Sequence, residues 1–334
     1  MCRGRATLAV LATVVGVVLV AGCSAAVQPR ADLSPTRPSS LAIGQKGQLY
    51  VADDARNQIL QALAGGTFRV IAGTGQAGFS GDGGPAVKAA LNDPGGMAVG
   101  PDGTIYLADT GNNRIRAIAP GGTITTVAGG GQAPGWVADG TRPLAAALAS
   151  PADVALSARG TLYIADADEI LSLPAAGRLK VVAGQPGATG APKAGARATR
   201  TSADDPSGIA FDRAGDLFVS GSATRALYVI TRSGRVRLPI GRAGFSPRGR
   251  AGLVTTPSGD VLAIDTQQIV QVTRNGIRAL DTLPVSLLPD GIAVSASGTI
   301  YIDTWLGNGW STQTALARLT ASGSPTIIWK SSLS

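Results

Sequence analysis

Histidine is absent from all 334 residues of the sequence, and glutamate occurs once, at Glu169. Histidine is the commonest general base in enzymes and a principal zinc ligand. Its absence excludes Ser-His-Asp catalysis and any zinc site that depends on an imidazole. The first expectation for this chain is therefore a binding function, and enzymatic activity is not expected.

Cysteine is also scarce, occurring only at Cys2 and Cys23. Two arginines precede an uncharged apolar run, residues 6–20, and small residues follow it. This order is typical of an export signal, and the run is too short to cross a bilayer core of ~30 Å as a helix. We predict a signal peptide over residues 1–22 and a flexible, proline-containing tether over residues 23–38.

The residues Val20-Ala21-Gly22-Cys23 resemble the lipobox of bacterial lipoproteins. The resemblance implies that Cys23 is acylated with palmitate-type chains and becomes the first residue of an extracytoplasmic protein anchored in the cell membrane. The alternative is an ordinary signal peptide with an incidental cysteine. In either case the mature chain has too few cysteines for an internal disulfide.

Short apolar runs separated by turn residues recur along the rest of the chain. A glycine marks the turn between the first two runs of each unit, at Gly47, Gly103, Gly160, Gly215, Gly259 and Gly298. Each unit contains four strand-length segments and spans about 40 to 57 residues, as β-propeller blades do. The sequence therefore predicts an all-β fold, a six-bladed β-propeller of four-stranded antiparallel blades over residues 39–330.

The second unit carries the clearest family pattern. Met97-Ala-Val99, Gly103-Thr-Ile-Tyr-Leu-Ala-Asp109 and Asn112-Asn-Arg-Ile-Arg116 resemble the NHL repeat, and the segment from Ile71 to Pro94 is similar to the linkers of bacterial NHL and teneurin-type propellers. The resemblance extends over roughly residues 39–329 and weakens in the last three units. It implies an interaction module, as in the extracytoplasmic sensor domains of bacterial receptor kinases.

Five units place an aspartate directly after the second strand: Asp53, Asp109, Asp166, Asp265 and Asp303. Antiparallel order puts these residues and the long linkers 74–92, 130–149 and 185–203 on one face, which we call the connection face. The tight glycine hairpins lie on the opposite side, the hairpin face, where we expect little room for a site. The aspartates either cap turns or form a ring of carboxylates that binds Ca²⁺.

Other candidate binding residues lie on the same face. Arg114 either belongs to a solvated strand surface with Arg116, pairs with a loop carboxylate, or contacts a ligand. In the last unit, Trp305, Asn308 and Trp310 occupy what reads as a longer loop. Their side chains suit stacking on a sugar or gripping a peptide, and the alternative is that the indoles seal the ring.

The net charge is +8, or about +6 after removal of Arg3 and Arg5 with the signal peptide. Residues 217–259 contain no acid but hold seven arginines: Arg225, Arg232, Arg235, Arg237, Arg242, Arg248 and Arg250. This segment is either a basic rim that meets anionic headgroups or polymers, or a dispersed soluble surface. Nucleic acid is not an expected partner, because the stacking aromatics of single-strand binders are missing.

These observations predict a monomeric, lipid-anchored, non-catalytic propeller on the outer face of the cell membrane. Its expected partners are a cell-envelope protein, a glycan or an anionic polymer, and no cofactor is expected. The alternative is a Ca²⁺-dependent hydrolase that resembles gluconolactonase, for which Glu169, Asp166 and Asp168 provide a minimal cluster.

Overall fold

A computed structural model describes residues 35–132, 135–175, 177–238, 252–266, 268–273, 275–283, 287–307, 312–319 and 325–330. The contacts divide the chain into Met1–Asp32 and Leu33–Ser334, and every described residue belongs to the second unit. The predicted signal peptide, Cys23, Asn308 and Trp310 lie outside the described residues. In the described ranges, no helix has the length and hydropathy needed to cross a bilayer.

Six four-stranded antiparallel sheets follow one another along the chain, each with its strands in sequence order. The first three blades consist of β1 (Pro38–Ile43), β2 (Leu49–Asp53), β3 (Gln58–Ala62), β4 (Phe68–Ala72), β5 (Pro94–Val99), β6 (Ile105–Asp109), β7 (Arg114–Ile118), β8 (Ile124–Gly129), β9 (Pro151–Leu156), β10 (Leu162–Asp166), β11 (Glu169–Leu173) and β12 (Lys180–Ala183). The last three consist of β13 (Pro206–Phe211), β14 (Leu217–Gly221), β15 (Ala226–Ile230), β16 (Val236–Arg237), β17 (Leu253–Thr255), β18 (Val261–Asp265), β19 (Gln268–Thr273), β20 (Gly276–Thr282), β21 (Leu287–Val294), β22 (Ile300–Gly307), β23 (Thr312–Leu319) and β24 (Pro325–Lys330). The predicted six-bladed β-propeller is confirmed.

Short 3-10 turns lie between strands at Ala64–Gly66, Ala86–Lys88, Thr110–Asn112, Pro143–Ala145 and Ala198–Arg200. All six glycines that mark the first hairpins have positive φ, between 76° and 86°. In the second blade the Gly103 N–H donates to the Gly100 carbonyl at 2.9 Å. Only glycine adopts this left-handed conformation without steric cost, which is why the residue marks the hairpin in each blade.

The hydrophobic core lies between the blades. Each cluster of buried residues combines side chains of two consecutive blades, as where Leu107 of the second blade joins Ile59 of the first. The last of these clusters joins Ala293 and Leu316 of blade six to Leu41 of blade one. Because blades one and six each contain four strands of their own, the ring closes by apolar packing and not by a shared sheet.

The linkers after the first three blades extend to the hairpin face, in contrast to the expectation that they lie on the connection face. Their middle portions form backbone hydrogen bonds with the outer strand of the following blade, for example from Ala86 N–H to the Gly122 carbonyl at 2.7 Å and from Val236 N–H to the Ala196 carbonyl at 2.9 Å. Gly122 and Val236 lie beside hairpins that meander order places on the hairpin face. The linkers therefore cover the exposed edges of the blades, where unpaired strand groups would otherwise face solvent.

The sixth blade is longer than the others on the connection face. Strands β22 and β23 each contain eight residues, and their pairing continues past Asp303 to Gly307 opposite Thr312. Strand β21 pairs with this part too, with Leu288 opposite Trp305. The prediction of a loop over residues 304–314 is therefore wrong for residues 304–307 and 312–314, which pair as strands and, with Leu287–Pro289 of β21, form a three-stranded extension. We call this feature the blade-six extension.

Candidate functional site

The aspartates at the ends of the second strands are buried, and in blades one to three each carboxylate binds the backbone just before the first strand of its own blade. Asp53 accepts hydrogen bonds from the backbone N–H groups of Thr36 (2.6 Å) and Arg37 (3.1 Å). In the second blade, Asp109 accepts from Asn92 N–H (2.8 Å). Thr36 and Asn92 each lie two residues before the proline that begins the inner strand of their blade. In these blades the aspartate satisfies backbone N–H groups that precede the inner strand, which accounts for its recurrence.

Blade three repeats this contact: both oxygens of Asp166 accept from Ala149 N–H, at 2.9 and 3.0 Å. In the sixth blade, Asp303 accepts from Gly291 N–H. Asp265 is also buried. Among the described residues, no group of three or more histidines, cysteines, aspartates or glutamates lies close enough to hold a metal ion. A ligand role for Asp53, Asp109, Asp166 and Asp303 stays a prediction.

Arg116, expected on a solvated strand surface, has no exposed area. Its guanidinium donates to Asp109 at 3.2 Å and to Asp82 in the preceding linker at 2.9 Å. It also donates to the Ser80 carbonyl at 3.0 Å. Burial raises the pKa of Asp109 despite these bonds, which lower it. Arg116 therefore fastens the linker to the second blade through charge-assisted hydrogen bonds.

Arg114 lies two residues before Arg116 on the same side of β7 but, unlike Arg116, forms no ion pair with a described residue. Its guanidinium carbon is 3.7 Å from the centre of the Phe79 ring, close enough for a cation–π contact. Phe79 is 43% exposed, so this stack reaches the surface. Among the described residues Arg114 pairs with no loop carboxylate, and its contact with Phe79 means that it does not lie on a fully solvated strand face. Its predicted ligand role is not tested by these contacts.

Glu169 begins β11 and is paired with Asp166 across the turn from β10. Its Oε1 accepts from Val137 N–H at 2.8 Å, whereas Oε2 is buried and has no hydrogen-bond partner among the described residues. Burial, reinforced by the charges of Asp166 and Asp168, raises the pKa of Glu169 to about 8. Burial also raises the pKa of Asp166 to about 7. This pair is therefore predominantly protonated below neutral pH.

A central channel of about 240 Å³ is lined by residues from the inner strands of all six blades, most of them apolar. The acid in its lining is Asp153, whose oxygens accept from Val154 N–H and Ile209 N–H, both at 2.8 Å. Full burial raises the pKa of Asp153 to about 7. A Cβ at Gly96 would overlap this carboxylate, so Gly96 leaves the space that Asp153 needs.

Asp153 was missed by sequence reasoning, although a signal exists. The equivalent position after the first proline of the blade is Ser40 in blade one and Gly96 in blade two. An acid at a position that otherwise holds a small residue indicates a specialised inner strand.

The backbone of Trp305 lies in the blade-six extension. Its side chain is outside the description, so the predicted stacking role of Trp305 and Trp310 stays a prediction.

Comparisons with known proteins agree with the repeat pattern. The family model described as the teneurin NHL domain matches residues 37–119, which contain the first blade and the first three strands of the second. Teneurin-1 of Mus musculus is 39% identical over 93 residues, covering 24% of this chain and 3% of that protein. Teneurin-3 of Mus musculus is 27% identical over 293 residues, covering 78% of this chain and 10% of that protein. The chain thus spans a small fraction of the length of these relatives.

Solved structures show the same fold at low sequence identity. A gluconolactonase from Xanthomonas campestris superposes with a TM-score of 0.59 at 16% identity, covering 80% of this chain and 83% of that one. A streptogramin B lyase has a TM-score of 0.58 at 14% identity, covering 88% and 83%. These likenesses and the six sheets define the chain as a six-bladed β-propeller. The match of residues 37–119 to the teneurin NHL domain supports the NHL-type character of this propeller.

Proposed function

We propose that the chain is a lipid-anchored, extracytoplasmic NHL-type propeller that binds a cell-envelope partner on its connection face without catalysis. The observation that carries this proposal is the use of the aspartates. Asp53, Asp109 and Asp166 each accept hydrogen bonds from backbone N–H groups of their own blade. Groups committed to holding the scaffold leave the loops and extensions above them as the variable surface, which is where binding residues occur.

The blade-six extension is the part of this face that departs from the repeat. Three strands continue beyond the aspartate position, and Trp305 belongs to them. Amphipathic aromatic residues on a rigid strand suit recognition because little conformational entropy is lost on binding. The proposed partner is a protein or glycan of the envelope, in agreement with the aromatic and polar composition of residues 304–314.

The anchor rests on Val20-Ala21-Gly22-Cys23. Two or more acyl chains would hold the protein stably on the membrane, whereas one gives only marginal binding. The test is the intact mass of protein from the membrane fraction, together with Cys23→Ser. Acyl mass on Cys23, and release of the variant from membranes, would support the anchor. A free thiol at Cys23 would overturn it.

The binding function is tested by immobilising the full chain in detergent and identifying captured envelope components by mass spectrometry. The double variant Trp305→Ala/Trp310→Ala should lose a component that the wild type enriches. Trp136→Ala is the matched control, since Trp136 is a partly buried tryptophan of a linker outside blade six. Equal capture by all three proteins, or no enrichment by the wild type, would overturn the proposal.

A second candidate is a Ca²⁺-dependent lactonase, favoured by the buried acids Asp153, Asp166 and Glu169 and by the fold of the Xanthomonas campestris gluconolactonase. The test is lactone hydrolysis with and without Ca²⁺, and turnover that Asp166→Ala abolishes would replace the binding-only view. Lyase chemistry has less support. One virginiamycin B lyase structure is described as a catalytically inactive histidine-to-alanine variant, and this chain has no histidine.

A further inference from the structure

The hairpin face, where little room was expected, contains a cavity of about 800 Å³ between blades three and four. Its walls are the β9–β10 hairpin and the β13–β14 hairpin, with Arg232 from the β15–β16 hairpin and Thr255 from β17. Pockets for small molecules commonly measure about 300 to 1,000 Å³. We call this cavity the arginine groove, because Arg159, Arg213 and Arg232 all line it.

The three arginines are exposed, and none of them forms an ion pair with another described residue. One acid, Asp212, lines the groove with them, so the charge of the lining is positive. The carboxylate of Asp212 accepts a hydrogen bond from Asp216 N–H at 2.8 Å. Guanidinium groups that converge on a cavity provide planar pairs of donors, which match the oxygens of a phosphate or a carboxylate.

The backbone of two of the arginines, Arg213 and Arg232, is held by hydrogen bonds to neighbouring segments. Arg213 N–H donates to the Gly259 carbonyl of blade five at 2.7 Å. Arg232 N–H donates to the buried Asp216 carboxylate at 3.1 Å, and its aliphatic stem passes beside Gly215. The guanidinium groups are thus carried on hairpins tied to neighbouring elements, which reduces the entropy lost when a ligand orders them.

The groove also has an aromatic wall. Tyr163 and Phe211 meet edge to face, with ring centres 4.8 Å apart and planes at 76°. Both side chains are partly exposed and line the cavity. Aromatic faces pack against the C–H surface of a sugar, and the hydroxyls of Ser157 and Thr161 add hydrogen-bonding groups. A bare inorganic anion would leave this wall unused.

We propose that the arginine groove binds an anionic sugar, whose phosphate or carboxylate contacts the guanidinium groups while its ring packs on the aromatic wall. This inference goes beyond the proposed binding function, because it adds a second site with a ligand class of its own. It places that ligand on the hairpin face, away from the blade-six extension. Phosphorylated and carboxylated sugars share the recognised chemistry, and direct titration distinguishes them.

The test is calorimetric titration of the full chain in detergent with glucose 6-phosphate, glucuronate, glucose and inorganic phosphate. At least one of the two anionic sugars should bind about tenfold more tightly than both glucose and phosphate, since only it uses both parts of the groove. Binding should weaken as salt is added, because the guanidinium groups are exposed. Tighter binding of glucose 6-phosphate or of glucuronate identifies the source of the charge.

The variants Arg159→Gln, Arg213→Gln and Arg232→Gln should each weaken the preferred sugar about tenfold, with melting temperatures close to that of the wild type. Arg237→Gln is the matched control: Arg237 is exposed and lies, with Arg232, in the basic segment 217–259, but does not line the groove. Phe211→Leu should reduce the preference for the sugar over inorganic phosphate. The envelope-capture result of these variants should be unchanged, so failure here is distinguishable from failure of the proposed function.

Three results would overturn the inference. One is the absence of measurable heat with either anionic sugar up to about 10 mM, beyond the range of useful affinity. Another is binding of glucose as tight as that of its phosphate. The third is an equal loss of affinity in Arg237→Gln and the groove variants, which would indicate a diffuse basic surface instead of a site.

Discussion

Replacing Glu169 by glutamine should stabilise the protein at alkaline pH and leave its stability unchanged at acidic pH. The Glu169 carboxyl is buried, with one oxygen bound to Val137 N–H and the other without a partner among the described residues. A glutamine keeps the acceptor for Val137 and places a neutral amide where the second oxygen lies. The change removes an ionisable group at little cost in packing.

The direction follows from proton linkage. Burial raises the pKa of Glu169 from 4.5 to about 8 in the folded protein. Between these pH values the folded chain holds a proton that the unfolded chain has lost, so stability falls as pH rises and the loss is complete above pH 8. At about 1.36 kcal/mol per pKa unit, the upper limit of this loss is about 5 kcal/mol. Water that enters the opened site would reduce it, so the expected gain for Glu169→Gln is about 2 to 5 kcal/mol at pH 9.

The assay is urea denaturation of wild type and variant at pH 5, 7 and 9, followed by tryptophan fluorescence. The difference in unfolding free energy should be below about 1 kcal/mol at pH 5 and grow with pH. Asp168→Asn is the control, because Asp168 is an exposed acid one residue away and its removal should change stability by less than about 0.5 kcal/mol. A gain that is independent of pH, or a variant that is less stable than the wild type at pH 9, would refute the reasoning.

Three further changes test other parts of the ring. Arg116→Met should cost about 3 to 5 kcal/mol in denaturant unfolding, because the buried Asp109 loses its cation; a cost below about 1 kcal/mol would contradict this. Gly73→Ala should cost more than about 1 kcal/mol, since φ is 92° and a Cβ would overlap the carbonyl of a neighbouring turn; wild-type stability would contradict it. Trp305→Ala/Trp310→Ala should leave the melting temperature nearly unchanged, and a large decrease would instead show that the indoles seal the ring.

The blades could be predicted because their signals are local. A positive φ at Gly103 is required by the hairpin itself, and the alternation in β6 follows from strand geometry. The recurrence of the same pattern then fixes the number of blades. The recurrence of the aspartates was equally visible, but in blades one to three their carboxylates bind backbone groups about 17 residues earlier in the chain, which the local turn pattern does not specify. Local chemistry repeated at a regular interval determined most of the fold.

The environments of particular side chains could not be predicted, because distant segments create them. Arg116 alternates correctly for a strand, but its burial depends on a linker residue, Asp82, 34 positions earlier. Asp153 is bound by Ile209, 56 positions later. The blade-six extension depends on β21 pairing with residues that read as a loop. In each case tertiary contacts decide what the local sequence leaves open.

In blade four, as in blades one to three, an aspartate joins the segment before the inner strand to the end of the second strand, but the aspartate lies in the other segment. The second strand of this blade ends in Gly221, and Asp204 lies two residues before the first proline, where blades one to three place an N–H donor. Asp204 instead accepts from the Thr224 N–H at 3.0 Å and its hydroxyl at 2.6 Å, so the same two segments are joined in the reverse direction.

This reversal explains the glycine at the end of β14 and can be tested by a double-mutant cycle. A Cβ at Gly221 would overlap the Asp204 carboxylate, so Gly221→Ala should destabilise the wild type. Asp204→Gly keeps the positive φ of 62° without strain but removes the carboxylate. Because the overlap no longer exists in that background, the double variant should lose at least about 1 kcal/mol less than the sum of the single variants. Additive losses would show that the carboxylate does not exclude a side chain at position 221, and that the reversed contact does not account for the departure of blade four from the repeat.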